Sequence, residues 1–323
     1  MNAQTRHLIL TAAVLSFAAC SSPTTTGVPA PTTPSLFSTL GSIEPEHPSS
    51  AGDKWPAGKK QLLFVSDLKA NKITIYDPTV VDPVPVGKIT DGLSRPTGLA
   101  VDTAGDLYAV NDKNNTVVEY KQGTTKPYFT IADGLDSPYG IAIDDDNEIF
   151  VSNTVNFSIV GYEPGGQTPF ETIDFSEIGQ PLGLNFDSHG NLWVACDNAA
   201  KYTSGGVFEI PAGTTNVEYS GLTGLVAPIG IAFGKNDITY VSTANYPNSF
   251  VNIYAYGSGS PKGQITSGIK SPSLNTFTKS GVFFQVNDIA QNVLGYQRGQ
   301  YTPFSTISGF TIPLGIAAWP RAH

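Results

Sequence analysis

The stretch Pro96–Asp112, PTGLAVDTAGDLYAVND, decides the fold, because it can be a binding motif or one unit of a repeat. It opens on proline and glycine, runs through Leu99–Val101, turns at Asp102–Gly105, and runs again through Leu107–Val110 to Asn111 and Asp112. Two apolar runs of strand length around an Asp-x-x-Gly turn make a β-hairpin pattern. In a lone motif Asn111 and Asp112 would be ligand oxygens; in a repeat they would be turn residues.

The remainder of the chain favours the repeat. Pro-x-Gly, or a relic of it, recurs at Pro96, Pro138, Pro181, Pro228, Pro272 and Pro313, with spacings of 42, 43, 47, 44 and 41 residues. The first five are each followed by a second apolar run: LYAVND, IFVSN, LWVACDN, ITYVSTAN and VFFQVND. The sixth partner, LLFVSD at Leu62–Asp67, stands at the front of the chain.

Periods of about 40 to 50 residues indicate solenoids, propellers or arrays. Each unit holds four β-like runs, for example GLAVD, LYAVND, TVVEYK and PYFTIA. Four turn-linked strands per unit match one propeller blade, and radial repetition leaves only short, protected edges. The fold class predicted is all-β, a six-bladed β-propeller of four-stranded blades over residues 61–320. It closes when the C-terminal run at Gly315–Trp319 joins the three N-terminal strands between Leu62 and Thr90. An open solenoid would need polar caps instead.

Residue types then follow from position. Gly98, Gly140, Gly183, Gly230 and Gly315 begin innermost strands, where backbones converge, whereas the unit at Pro272 carries Leu274. Asp102, Asp144 and Asp187, with Gly105, Asn147 and Gly190, suit hairpin turns. Phe64, Tyr108, Phe150, Trp193, Tyr240 and Phe284 share one repeat position and are expected to pack between blades.

Composition agrees with many short strands. Of 323 residues, 40% are hydrophobic and 14% charged, with 33 Gly, 24 Pro, 17 Phe and 14 Tyr. The formal net charge of −9 makes nucleic acid and anionic lipid poor partners. Residues 1–19 resemble a secretory signal, with Arg6 ahead of an apolar stretch too short to span a bilayer. Phe17-Ala18-Ala19-Cys20 resembles a bacterial lipobox, departing from it at Phe17, and Cys20 is the expected lipidation site. Residues 20–60 are rich in Ser, Thr and Pro and are read as a tether. The expected product is an extracytoplasmic monomer held to a bacterial membrane by its lipid anchor alone. With Cys20 acylated only Cys196 remains, so no intramolecular disulfide forms; Cys196 is expected to be a buried, inert thiol.

PTGLAV with GDLYAV, PLGLNF with GNLWVA, and KANKITIY at Lys69–Tyr76 resemble NHL-type repeats, particularly those of streptogramin lyase-like propellers, over Leu62–Trp319. For the lyases the resemblance implies a metal-assisted elimination, with a His inside one Pro-x-Gly and a Glu ending a second strand. Here the middle positions are Thr97, Tyr139, Leu182, Ile229, Ser273 and Leu314, and the strand ends are Asp67, Asn111, Asn153, Cys196, Thr243 and Asn287. Neither group is supplied. The histidines are His7, His47, His189 and His323, none placed to work as the acid or base.

The chain is also similar to gluconolactonase and regucalcin-like propellers, which implies Ca²⁺ or Mg²⁺ on carboxylate and amide oxygens at the channel mouth. Asp67, Asn111, Asp112, Asn153, Asp197, Asn287 and Asp288 are the candidate ligands, although tight turns want the same residue types and the family's Glu-Gly-Pro opening is absent. The leading expectation is a non-catalytic module binding a small molecule or protein on this face, with Arg95, Tyr139 and Tyr246 as contacts. The competing expectation is a divalent-metal-dependent lactonase or lyase. Asp144–Glu148 and the glycine loops PGGQTP and SGSPKG are read as turn chemistry, not as calcium or phosphate sites.

Overall fold

The computed structural model describes residues 55, 56, 58, 60–197 and 205–322. The signal, Cys20 and nearly all of the tether lie outside them, as do Asn198 and His323. Within them the chain forms six four-stranded antiparallel sheets. Blade 2, containing the opening stretch, is Pro96–Val101, Leu107–Asn111, Thr116–Tyr120 and Phe129–Ile131 from axis to rim. Blades 3, 4, 5 and 6 repeat it from Pro138, Gln180, Pro228 and Pro272. The innermost strands touch in ring order, the last of them returning to the first.

Closure follows the expected permutation. Pro313–Trp319 is the innermost strand of blade 1 and pairs antiparallel with Leu62–Asp67, Leu62 opposite Trp319 and Val65 opposite Ile316. Lys72–Tyr76 and Pro85–Ile89 complete that blade. Trp55, inside the stretch read as tether, packs on Phe64 with ring centroids 5.0 Å apart.

The core is divided among the blade interfaces. Phe64 sits with Leu99 and Val118 of blade 2, Tyr108 with Ile141 and Val151 of blade 3, and Phe150 with Leu184 and Val194 of blade 4. Trp193, Tyr240 and Phe284 continue the pattern to blades 5, 6 and 1. An aromatic ring at one repeat position therefore buries against each next blade, the dominant apolar gain in such a structure.

The glycines beginning the innermost strands have a sharper reason than crowding at the axis. A Cβ on Gly98 would lie 2.5 Å from the Tyr139 carbonyl, on Gly140 2.1 Å from that of Leu182, and on Gly315 1.9 Å from that of Thr97. Each glycine lets the next blade's backbone close in. Serines staple this approach on alternate blades: Ser66 Oγ accepts from Gly315 N at 2.8 Å and donates to Thr97 O at 2.6 Å, and Ser152 Oγ does the same for Gly140 N and Leu182 O.

The hairpin turns use their carboxylates as expected. Asp102 Oδ1 accepts from the backbone of Ala104 and Asp106, and Asp144 Oδ1 from Asp146 and Glu148, with Gly105 at φ 90° and Asn147 at φ 66°.

Candidate functional site

Two loop sets meet on the face where the innermost strands begin: those entering each innermost strand and those leaving each second strand. The strand-end residues foreseen as metal ligands lie here, and their polar atoms are committed to the backbone. Asn111 Oδ1 accepts from Ser94 N at 2.9 Å while its Nδ2 donates to Gly92 O at 2.9 Å. Asn153 holds Asp136 N and Gly134 O, and Asn287 holds Lys270 N and Gly268 O, in the same way. Asp67 accepts from Ala70 N and Ile312 N on Oδ1 and from Thr311 N on Oδ2. All four are fully buried.

These four side chains are loop locks, not a convergent set of cation ligands. A hard cation needs several oxygens turned to one point. Among the described residues no three His, Cys, Asp or Glu side chains come together in a way that could hold a metal.

One residue further on, Asp112, Asp197 and Asp288 stand on blades 2, 4 and 6. Asp112 faces the Arg95 guanidinium at 3.3 Å, and burial pushes its pKa up against that pull. Asp288 is also raised by burial, and its backbone N–H caps the Ser271 carbonyl. Asp197 is buried at the end of Leu192–Asp197, beside Cys196, whose thiol burial drives well above its ordinary range.

The three foreseen contact residues separate. Tyr246 is 52% exposed on this face. Arg95 is partly exposed and positions Asp112, from a backbone at φ 56°. Tyr139 is buried: its hydroxyl lies 3.0 Å from Ser273 Oγ, on the diametrically opposite blade, and Ser273 Oγ donates onward to Leu314 O. Its side chain therefore crosses the axis, and burial carries its hydroxyl pKa far above the ordinary value. Leu274 fills the axis beside it, its Cδ2 3.1 Å from where a Cβ on Gly183 would stand. The channel is shut at this end.

The open end is on the opposite face. Below Tyr139 and Leu274 a cavity of about 450 Å³ is lined by Leu99, Ile141, Leu184, Ile231 and Ile316, one apolar side chain from each of five blades, and by Asn275 of the sixth. Its mouth carries Asp144, Asp145, Asp146, Glu148 and Asp187, and Arg321 reaches into it from the C-terminal tail. Sequence reasoning missed both Asn275 and Arg321. The signal for the first was present, since an amide replaces the apolar residue of the other five units; a lone tail arginine carries none.

His189 lies on this second face too, stacked on Tyr256 at 5.1 Å and 3.5 Å from Asp237, whose carboxylate also accepts from Ser188 Oγ. The serine donates to the acid and makes no contact with the imidazole, so the trio ties blade 4 to blade 5 and offers no activated nucleophile.

No family model and no curated protein matches the sequence. Solved structures do. A chain in the crystal structure of a nidogen/laminin complex aligns at 16% identity and TM-score 0.68, over 80% of this chain and 98% of that one. A protein of unknown function from Bacteroides caccae aligns at 13% identity and TM-score 0.59, over 80% and 98%. A gluconolactonase from Xanthomonas campestris aligns at 14% identity and TM-score 0.55, over 82% and 89%. At such identities the likeness is one of architecture, and the chain has the fold of a six-bladed β-propeller.

Proposed function

We propose that the chain is a non-catalytic recognition module, carried outside the cytoplasm on a lipid anchor at Cys20, which binds a macromolecular partner with the loop face above Tyr139. The observation that carries this reading is that Val155, Phe157, Tyr246 and Ile289 are 55%, 38%, 52% and 62% exposed on the loops leaving the second strands of blades 3, 5 and 6. Large apolar side chains held out on the loops of a rigid scaffold are the usual material of a binding surface, and most of the others, Val81, Tyr128 and Tyr256 among them, stand on the loops between third and fourth strands. The locked loops beneath them favour a preformed surface that loses little entropy on binding. The nidogen/laminin likeness fits a propeller used in a complex; the gluconolactonase likeness supplies the rival reading, to which the committed oxygens of Asp67, Asn111, Asn153 and Asn287 lend no support.

Photo-crosslinking in the host envelope tests it. A photoreactive residue replacing Phe157, Tyr246 or Ile289 is expected to give one shared adduct that is absent when Tyr128, exposed on the far face, is replaced. Adducts from position 128 alone overturn the reading.

A further inference from the structure

We infer that the groove between blades 3 and 4 is a docking site for a lysine-bearing segment of a polypeptide partner, which supplies the cation that blade 2 carries in its own sequence. The inference is independent of the recognition face, because it concerns the outer strands and the turns away from the loops above Tyr139.

Blade 2 shows the complete arrangement. Lys121, just past its third strand, holds Nζ 2.8 Å from Asp106 Oδ2 and 4.4 Å from the centre of the Tyr128 ring, and pairs with Glu119 as well. Blade 3 matches it position by position. Tyr120 stands opposite Leu107 as Tyr162 stands opposite Ile149, and the N–H groups of Asp106 and Glu148 donate to Asp102 and Asp144. The N–H groups of Tyr128 and Phe170 likewise donate to the carbonyls of Glu119 and Gly161. Blade 3 therefore keeps the carboxylate, as Glu148, and the ring, as Phe170, but has Glu163 in the place of Lys121. Glu171 adds a further carboxylate where blade 2 has Phe129. Neither Glu148 nor Glu171 is ion-paired among the described residues. Burial raises the pKa of both, and Asp144, Glu163, Asp146 and Glu171 raise Glu148 further. An ammonium over Phe170 and against these carboxylates restores the arrangement of blade 2.

The seam beside these residues is open. At the other five seams the loop between third and fourth strands fastens onto the outer strand of the preceding blade or the turn after it. Lys126 bonds Asp91 at 2.9 Å, Gln167 bonds Thr130 O at 3.4 Å, Thr223 N bonds Gly259 O at 2.7 Å, Thr306 N bonds Asp82 Oδ1 at 2.7 Å, and Tyr301 lies against Gly263. The loop of blade 4, residues 211–217, makes hydrogen bonds only within its own blade among the described residues. It leaves a groove of about 700 Å³ in which Phe170, 43% exposed, stands with Phe186, Glu148 and Glu171. No lysine, arginine or histidine is among the lining residues. The groove reaches from the turn before the second strand to the outermost strand. That is about 14 Å at about 4.8 Å per strand, which four extended residues span at about 3.4 Å each. The chain's own tether does not match it, since residues 21–53 contain no Lys or Arg.

Isothermal titration calorimetry of the full chain, with tetralysine amide and N-acetyl-lysine amide as probes, tests the inference. The peptide is expected to bind on the order of tenfold more tightly than the single residue, because linked cations reach more than one carboxylate. Glu163→Lys rebuilds the internal cation of blade 2 and is expected to abolish peptide binding. Glu148→Gln with Glu171→Gln is expected to weaken it on the order of tenfold, and Phe170→Leu, which keeps an apolar side chain over Gly161 without the ring, about threefold. Asp133→Asn with Glu177→Gln removes the same charge from two exposed positions elsewhere and is expected to leave the affinity within about twofold. Thermal melting checks that each variant is folded, and Glu163→Lys reports even where Phe170→Leu is not. Absence of peptide binding, equal losses in Glu163→Lys and the charge-matched control, or a single residue that binds as tightly as the peptide overturns the inference.

Discussion

Asn111 shows how one side chain can look like a ligand and be a fastener. Its amide satisfies one donor and one acceptor of the loop entering blade 2 from a fully buried position. Asn111→Ala therefore leaves Ser94 N–H and Gly92 C=O unpaired and is expected to lower stability by about 1–3 kcal/mol per orphaned group. Urea unfolding measures it, and a loss below about 0.5 kcal/mol would show that the loop finds other partners. Gly315 makes the matching case for backbone. Gly315→Ala forces a Cβ to within 1.9 Å of the Thr97 carbonyl and is expected to cost at least the ~1–3 kcal/mol of an overpacked core. Gly123→Ala, in open space at φ 85°, bears only backbone strain of about 1 kcal/mol and is the control. Equal costs at the two positions would remove the carbonyl contact as the reason for the ring of glycines.

The strands and the blade count were legible because turn chemistry and the 41-to-47-residue spacing are local and repeat six times. Contacts across the ring were not. Tyr139 meets Ser273 over 134 residues, and Arg321 meets Ile143 over 178, so no window along the chain contains both partners. The serine staples were hidden differently. Ser66 and Ser152 stand two blades apart, and Ser242 at the same position of blade 5 bonds Gln285 and Asn275 instead, so a comparison of each unit with the next averages the pattern away. The candidate metal rim was ambiguous in the sequence for a related reason: Asp and Asn suit a backbone lock as well as a cation, and the hydrogen-bond partners show Asp67, Asn111, Asn153 and Asn287 serving as locks. At this scale closure itself is testable. A chain ending at Ile312 loses the innermost strand of blade 1 and bares the edge of Leu62–Asp67. It is expected to lose its cooperative melt and to aggregate in size-exclusion chromatography; a sharp melt close to that of the full chain would mean five innermost strands close the ring unaided.

At the scale of the whole molecule, charge and burial set the response to pH. Burial raises the pKa of Asp102, Asp112, Asp144 and Asp288, and of Glu148, Glu171 and Glu209, above their ordinary values. The folded state keeps these protons to higher pH than the unfolded chain does. Their contribution to stability is therefore complete below the ordinary carboxylate range and is lost as pH rises through the raised values. Asp91, bonded to Lys126, and Asp174, bonded to Ser176, are lowered and act in the opposite sense, but both are solvated and count for little. The net charge of −9 adds self-repulsion that protonation also relieves. Both effects predict a melting temperature that rises as pH falls from 7.5 toward the ordinary carboxylate range, the reverse of ordinary acid destabilisation. Salt separates them, because at 1 M the Debye length is about 3 Å and long-range repulsion is screened while the desolvation of buried carboxylates persists. The rise on acidification is expected to survive in high salt and to shrink in Asp144→Asn, whose amide oxygen can still accept the N–H groups of Asp146 and Glu148. A melting temperature that falls as pH drops from 7.5 toward the ordinary carboxylate range would mean that the buried carboxylates gain more from their turn hydrogen bonds than they lose by leaving water.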